Sequence, residues 1–437
     1  MNYEIPTGPT LDSSHASHTS NKPWYRRRLT VAIALLILFF IVASGLLLTM
    51  GGKNSGTSAN QTLTLYYSDG KTLLWQTGQP EGENAAFIAY VRNQLKALHG
   101  DDYQSKGAWK VTTTLNKRLQ ETALEQFKSQ RSAISMLRLS NLILMAEDVK
   151  TGQVAALATQ QPQESGINPI AERIPAGTLA TPFPYIALLE KSPDRASGTF
   201  EDTQTQITGY PCSNRNAAKQ GGNCLFNMDM RYTGTLSLAQ ALGGVRNVTA
   251  AKALLEVGSP AATATIAKMG SDGACYADQE FTQKTTCYTA AAFGEGLYVT
   301  PQHMMQTYST LANQGSKVPQ SVVIKTILGD KQQYVWHAPA AERAISNKTA
   351  QVISDVLADP NVSYLPDSRK TVFNRSDGKK VSVVSGYTQQ STHASSIQFT
   401  DQYAVGFWGS GNGAELAGSP VTSIALPIAA GLLNATD

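Results

Sequence analysis

Leu29 to Met50 is a run of 22 residues without a single charge. At about 1.5 Å per helical residue it would reach roughly 33 Å, enough to cross the hydrocarbon core of a bilayer. A segment of this kind divides the chain rather than joining a water-soluble core. We read it as an uncleaved membrane helix; the other reading is a secretory leader, whose apolar part is usually only about 7 to 15 residues. Arg26, Arg27 and Arg28 directly precede it, which places the N-terminus in the cytoplasm and everything after Met50 outside. Residues 1–28, rich in Ser, Thr, His and Pro, read as a disordered tail, and residues 51–60 as a Gly/Ser/Asn linker.

The net charge of +4 is small and partly belongs to the tail, so no basic face for nucleic acid is indicated. All four cysteines fall after Met50, as the pairs Cys212/Cys224 and Cys275/Cys287, each with a separation of 12. Outside the cytoplasm this favours two local disulfides that brace loops. A metal site is the alternative, but the C-x-x-C spacing of a zinc module is absent, and the pattern implies neither metal nor cofactor.

Thr62 to Gly78 holds two apolar runs joined by Ser68, Asp69 and Gly70, the pattern of a hairpin. Ala85 to His99 has helical periodicity, Trp109 to Leu115 is a β-branched run, and a second helix is expected from Asn116 to about Leu137. Leu142 to Ala158 reads as two strands around Lys150, Thr151 and Gly152. Arg173 to Glu190, R-I-P-A-G-T-L-A-T-P-F-P-Y-I-A-L-L-E, reads as a loop feeding a helix with one buried face, with Thr178 as the expected N-cap. Thr300 is a good N-cap and Pro301 a good first helical residue for the segment that follows.

These strings together resemble the transpeptidase domain of penicillin-binding proteins. W-K-V-T-T-T-L-N-K-R-L-Q-E-T-A, from Trp109, is similar to the segment that precedes that domain, and Phe293 to Gln314 to its G-x-x-x-V-T-P helix region. The family's P-G-S-x-x-K-P-F aligns on Arg173 to Glu190 and puts Thr178 at the serine and Thr181 at the lysine. Its T-L-x-x-A-L-x-x-S-x-N-V aligns on Ser237 to Val248, with Val245 at the second serine and Asn247 retained. Its V-A-G-K-T-G-T aligns on Val384 to Thr388, which makes Gly386, Tyr387 and Thr388 the substrate-strand positions; a rival register puts Val384 at the lysine. Neither register supplies a cation. The resemblance implies an α/β (α+β) fold, an antiparallel sheet flanked by helices with a helical lobe, behind a single N-terminal transmembrane helix. It divides the outer part into an N-terminal pedestal, 61–137, and a transpeptidase-like domain, 138–437. The roughly 60 residues between Met50 and Trp109 are too few for the glycosyltransferase domain of class A members.

An acyl-transfer site of this type needs an activated hydroxyl, a base within about 3 Å and donors for developing charge. At the positions that carry this in the family, the chain has Thr178, Thr181, Val245 and Tyr387. Threonine can serve as a nucleophile where a base is supplied. Hydroxyl and phenol, both neutral at pH 7, stand where the family has two cations. Each residue also has a plainer role: Asn247 in a helix or turn hydrogen bond, Tyr387 packing its ring on a strand, His393 as a lone histidine without a metal-spaced partner. The resemblance thus implies a membrane-anchored, extracytoplasmic protein of bacterial peptidoglycan synthesis, a binding or scaffold member that does not turn over substrate. Its expected partners are peptidoglycan or its stem peptides, the membrane through residues 29–50, and other cell-wall synthesis proteins. An active D,D-transpeptidase or carboxypeptidase with relocated groups, and a structural or adhesion module unrelated to peptidoglycan, are the alternatives.

Overall fold

The computed structural model describes residues 61–160, 168–207, 225–271, 274–275, 292, 294, 296–388, 391–411, 413 and 415–436. The apolar run 29–50, the tail, the linker and Cys212, Cys224 and Cys287 lie outside the described residues. Cys275 is described in its backbone alone, on a two-residue strand that pairs with Leu297–Val299. Among the described residues no helix is long and apolar enough to cross a membrane. Residues 59–437 form one compact unit.

The expected hairpin is β1 (Leu63–Tyr66) and β2 (Leu73–Gln76). Its turn is held by the Asp69 carboxylate, which accepts from the N–H groups of Lys71 and Thr72 at 2.9 and 2.8 Å. Helix α1 (Ala85–His99) has the bounds its periodicity predicts and buries Phe87, Ile88, Val91 and Leu95. After β3 (Trp109–Thr113), the segment read as one helix is two. Helix α2 (Lys117–Ser129), capped by the Asn116 side chain on the Leu119 N–H, stops at Gln130, whose ψ of 8° leaves the helical range, and a short helix runs over Arg131–Met136.

Next come the strands β4 (Asn141–Asp148) and β5 (Gln153–Gln160), then helices α3 (Pro182–Lys191), α4 (Leu238–Gly243), α5 (Asn247–Val257) and α6 (Pro301–Ala312). Helix α6 starts as its sequence predicts, with the Thr300 hydroxyl accepting the His303 N–H at 3.1 Å and Pro301 in the first turn. The chain continues through β6 (Val323–Leu328), β7 (Lys331–Val335), α7 (Asn347–Leu357), β8 (Ser382–Tyr387), β9 (His393–Phe399), β10 (Tyr403–Ser410) and α8 (Leu426–Asn434).

Two five-stranded sheets result. One has the order β7-β6-β3-β1-β2, so strands from beyond residue 320 complete the sheet begun at Leu63. The other, β8-β9-β10-β4-β5, is antiparallel throughout. Alternate residues of this second sheet serve two different cores. Leu142, Leu144, Ala146, Val405 and Phe407 face one that includes α2 and α8, whereas Ile143, Met145, Ala404 and Trp408 face the core shared with α3 and α6. Burial on both faces explains why these strands read as continuous apolar runs without a polar phase. At roughly 1.5 to 3 kcal/mol for each large buried side chain, they anchor the fold. Sheet and flanking helices match the expected architecture, and α3 and α5 build the helical lobe beside strand β8.

Candidate functional site

The residues aligned with the acyl-transfer site come together where the lobe meets the free edge of β8. Thr178 lies in a 3-10 turn, Gly177–Ala180, that leads into α3. The turn lies so close to β8 that a Cβ on Gly177, whose φ is +55°, would collide with the Tyr387 carbonyl oxygen. Gly294, at φ +86°, packs in the same way on the Gly177 backbone. From behind, the fully buried Tyr308 hydroxyl of α6 donates to the Leu179 carbonyl at 2.5 Å.

The expected N-cap role of Thr178 is not what the turn provides. Its hydroxyl donates to the Ser385 carbonyl at 2.6 Å and accepts the Tyr387 N–H at 3.1 Å. These are the edge groups of residues i and i+2 of β8, the pair that an adjoining strand would otherwise bind. One threonine oxygen therefore stands in for a neighbouring strand. The helix α3 that follows takes Thr181 as its N-cap residue, and no side chain caps it.

Thr181 is 1% exposed, and its hydroxyl is buried without a hydrogen-bond partner. Val245, at φ +48°, is a β-branched residue in the left-handed region and sits between α4 and α5. The turn is imposed from outside: Arg246 bonds the fully buried Asp202 through Nε at 3.0 Å and Nη2 at 2.9 Å, and Asp229 through Nη1 at 2.9 Å. Asn227 and Thr233 occupy the remaining Asp202 oxygen sites. Burial pushes the Asp229 carboxyl up, but the Arg246 bonds outweigh it and hold the group below its ordinary value. Asn247 donates Nδ2 to the Phe226 carbonyl at 3.2 Å and does not line the cleft.

The cleft between these residues contains about 30 Å³ of water-accessible space, little more than one water requires. It is closed by a segment that the sequence reading did not single out. Tyr364, beyond α7, donates its backbone N–H to the Gly243 carbonyl at 3.1 Å, and its ring meets that of Tyr387 edge to face at 6.3 Å. Burial raises the phenol of each above its ordinary value. The Tyr364 hydroxyl lies near Ser385 and Tyr387, with no hydrogen bond of good geometry to either. Nothing local in D-P-N-V-S-Y-L-P, Asp359 to Pro366, signals that it crosses a cleft.

The described residues lining the cleft include no Lys, Arg, His, Asp or Glu. Among the described residues the Thr178 oxygen thus has two backbone partners and no base. The other motif positions serve the sheet. Gly386 has no room for a Cβ against Ser395, and the Thr388 hydroxyl accepts the N–H groups of Thr392 and His393 at 3.1 and 3.3 Å, which closes the β8–β9 turn. His393 has its Nδ1 against the Thr392 hydroxyl at 2.9 Å, and burial lowers its pKa. Among the described residues no three His, Cys, Asp or Glu side chains gather as a metal would require.

Comparison with known proteins gives a consistent picture. Residues 201–412 match the family model of the penicillin binding protein transpeptidase domain, an interval that begins after the Thr178 turn. Penicillin-binding protein 1B of Escherichia coli strain K12 is 28% identical over 284 residues, which are 62% of this chain and 32% of that protein. Penicillin-binding protein 1A/1B of Bacillus subtilis strain 168 is 24% identical over 339 residues, 74% of this chain and 34% of that protein. The chain spans about a third of the length of these curated relatives. Among solved structures, PonA1 from Mycobacterium tuberculosis in complex with penicillin V superposes with a TM-score of 0.66 at 18% identity, covering 81% of this chain and 93% of that one. Penicillin binding protein 3 of the same organism, complexed with aztreonam, gives 0.56 at 19% identity, covering 75% and 80%.

Proposed function

We propose, from the premise that this chain carries a transpeptidase domain of the penicillin-binding protein family, that it serves peptidoglycan synthesis as a binding or scaffold member without acyl-transfer activity. One observation carries the reading. The only hydroxyl at the nucleophile position gives its proton to the Ser385 carbonyl and takes another from the Tyr387 amide, in a cleft whose described lining has no base. Loss of several members of such a catalytic unit costs on the order of 10⁴ to 10⁶ in rate in a comparable serine enzyme. An extended peptide adding to β8 would also find those edge groups already bonded.

In this reading the protein is tethered to the bacterial membrane through residues 29–50, with residues 61–137 as a pedestal and 138–437 as the transpeptidase-like domain outside. Cys212–Cys224 and Cys275–Cys287 are taken as local disulfides there. Binding to the cell wall then rests on surfaces other than the closed cleft. Labelling with a fluorescent penicillin tests the central point. The expected result is no covalent band at concentrations that saturate an active relative. A band that disappears in Thr178→Ala would overturn the reading, and failure of the chain to sediment with purified cell wall would remove the peptidoglycan partner.

A further inference from the structure

Glu147, on β4, is fully buried and has no part in the cleft. Its Oε2 accepts from Gln320 Nε2 at 2.5 Å; its Oε1 lies near the buried Ser309 hydroxyl of α6, with no hydrogen bond of good geometry between them. The Ser309 hydroxyl can either accept from a protonated Oε1 or donate to an ionised one, so what separates the two states is the cost of burying the charge. The network continues outward. Gln320 Oε1 accepts from the Tyr90 hydroxyl of α1 at 3.1 Å, and Gln302 Nε2 donates to the same Tyr90 oxygen at 2.7 Å. Gln94, one turn further along α1, accepts the Val322 N–H at 2.7 Å. Tyr90, Gln302 and Gln320 are half-buried, so they form the wall between the carboxyl and solvent.

The charged and ionisable groups that act on Glu147 are Asp148 on its own strand and Tyr90 from α1. The strands paired with β4 place Val154 and Ala404 opposite it, and α6 presents Ser309. No cation is among these groups. An ionised carboxylate here has Gln320 and at most the Ser309 hydroxyl as donors and, among the described residues, no cation to offset its burial, which favours any excursion that admits water. We propose that the Glu147, Gln320, Tyr90 and Gln302 cluster is a pH-sensitive latch, holding α1 and the 320–322 segment on the second sheet while Glu147 keeps its proton and releasing them when the proton leaves.

Desolvation by burial pushes the Glu147 carboxyl up to about 7. The sign follows directly. An acid whose pKa is raised in the closed state binds more protons there than in the opened one, so closure weakens as pH rises from the open-state value toward 7 and is lowest above it. With an ordinary carboxyl value in the opened state, closure falls about 25-fold between about pH 5.5 and 8.

Hydrogen exchange on the full chain reads this, as protection corrected for the pH dependence of intrinsic exchange. In wild type, protection of Ala85–His99 should fall about 25-fold between those pH values, while that of His393–Phe399 and Tyr403–Ser410 changes little. Glu147→Gln, which cannot ionise, should show less than about a threefold change in α1. Equal falls in wild type and Glu147→Gln would overturn the latch. So would a fall shared uniformly by α1 and the β9–β10 pair, which would mark global stability instead; that comparison needs no variant. Tyr90→Phe should lower α1 protection at both pH values and leave its pH dependence intact, and unaltered protection would also contradict the proposal.

Discussion

Replacing Thr178 by valine removes one oxygen and keeps the shape of the side chain. If the hydroxyl is a structural pin, this leaves the Ser385 carbonyl and the Tyr387 N–H without their partner in a cleft with room for little more than one water. An unsatisfied buried group costs about 1 to 3 kcal/mol. Two of them, partly relieved by that water, give an expected loss of about 2 to 4 kcal/mol. Thr178→Ser keeps both bonds and gives up one methyl, a loss of about 1 kcal/mol. In a compact unit covering residues 59–437, unfolding entropy of about 2.1 cal/mol/K per residue turns the valine effect into a fall of about 2 to 5 °C in Tm. Urea and thermal unfolding of the three proteins measure it. A nucleophile held ready for attack would have its hydroxyl free of such bonds, and its loss would be neutral or stabilising. A valine variant as stable as wild type would therefore refute the pin.

Val245 and Val356 both line the cleft and provide a matched pair, because only the first has positive φ. Val245→Gly relieves about 1 to 2 kcal/mol of left-handed strain and should be neutral within about 1 kcal/mol, while Val356→Gly, inside α7, should lose about 2 kcal/mol or more; equal losses in urea unfolding would show that the Val245 turn carries no strain. Asp202→Ala removes the buried partner of the Arg246 guanidinium and leaves it the more exposed Asp229, and should cost about 3 kcal/mol, whereas Glu256→Ala, which breaks the more exposed pair with Arg195, should cost less than about 1 kcal/mol. The double variant Thr178→Ser with Thr181→Lys restores two motif residues on paper, yet places an ammonium in an uncharged cleft of about 30 Å³. It should unfold at lower temperature than wild type and acquire no penicillin label, and a gain of label would mean that the cleft opens to accept lysine.

Much of the fold was legible because its signals are local. The β1–β2 hairpin follows from Asp69 and Gly70, α1 from its apolar spacing, and the start of α6 from Thr300 and Pro301. What escaped depends on partners distant in sequence. Capping rules make Thr178 a helix cap, but its hydroxyl partner, Ser385, is 207 residues away. The strand that completes the first sheet beside β3 begins at Val323, in a segment with no family string to draw attention to it. The Tyr364 strap and the Arg246–Asp202 brace likewise become visible only when the lobe folds onto the sheet. Glu147, flanked by Met145, Ala146 and Asp148, looks in sequence like one of two acidic residues at a strand end; its burial follows from Gln320 and α1 closing over it.

A crystal structure grown with a saturating β-lactam would test the central claim most directly, since it reads the Thr178 oxygen itself. The account predicts that Oγ1 stays within hydrogen-bonding distance of the Ser385 carbonyl and the Tyr387 amide, with no acyl group attached and no ammonium or imidazole beside it. Continuous density joining that oxygen to the opened ring, or a lysine amine in contact with it, would contradict the account.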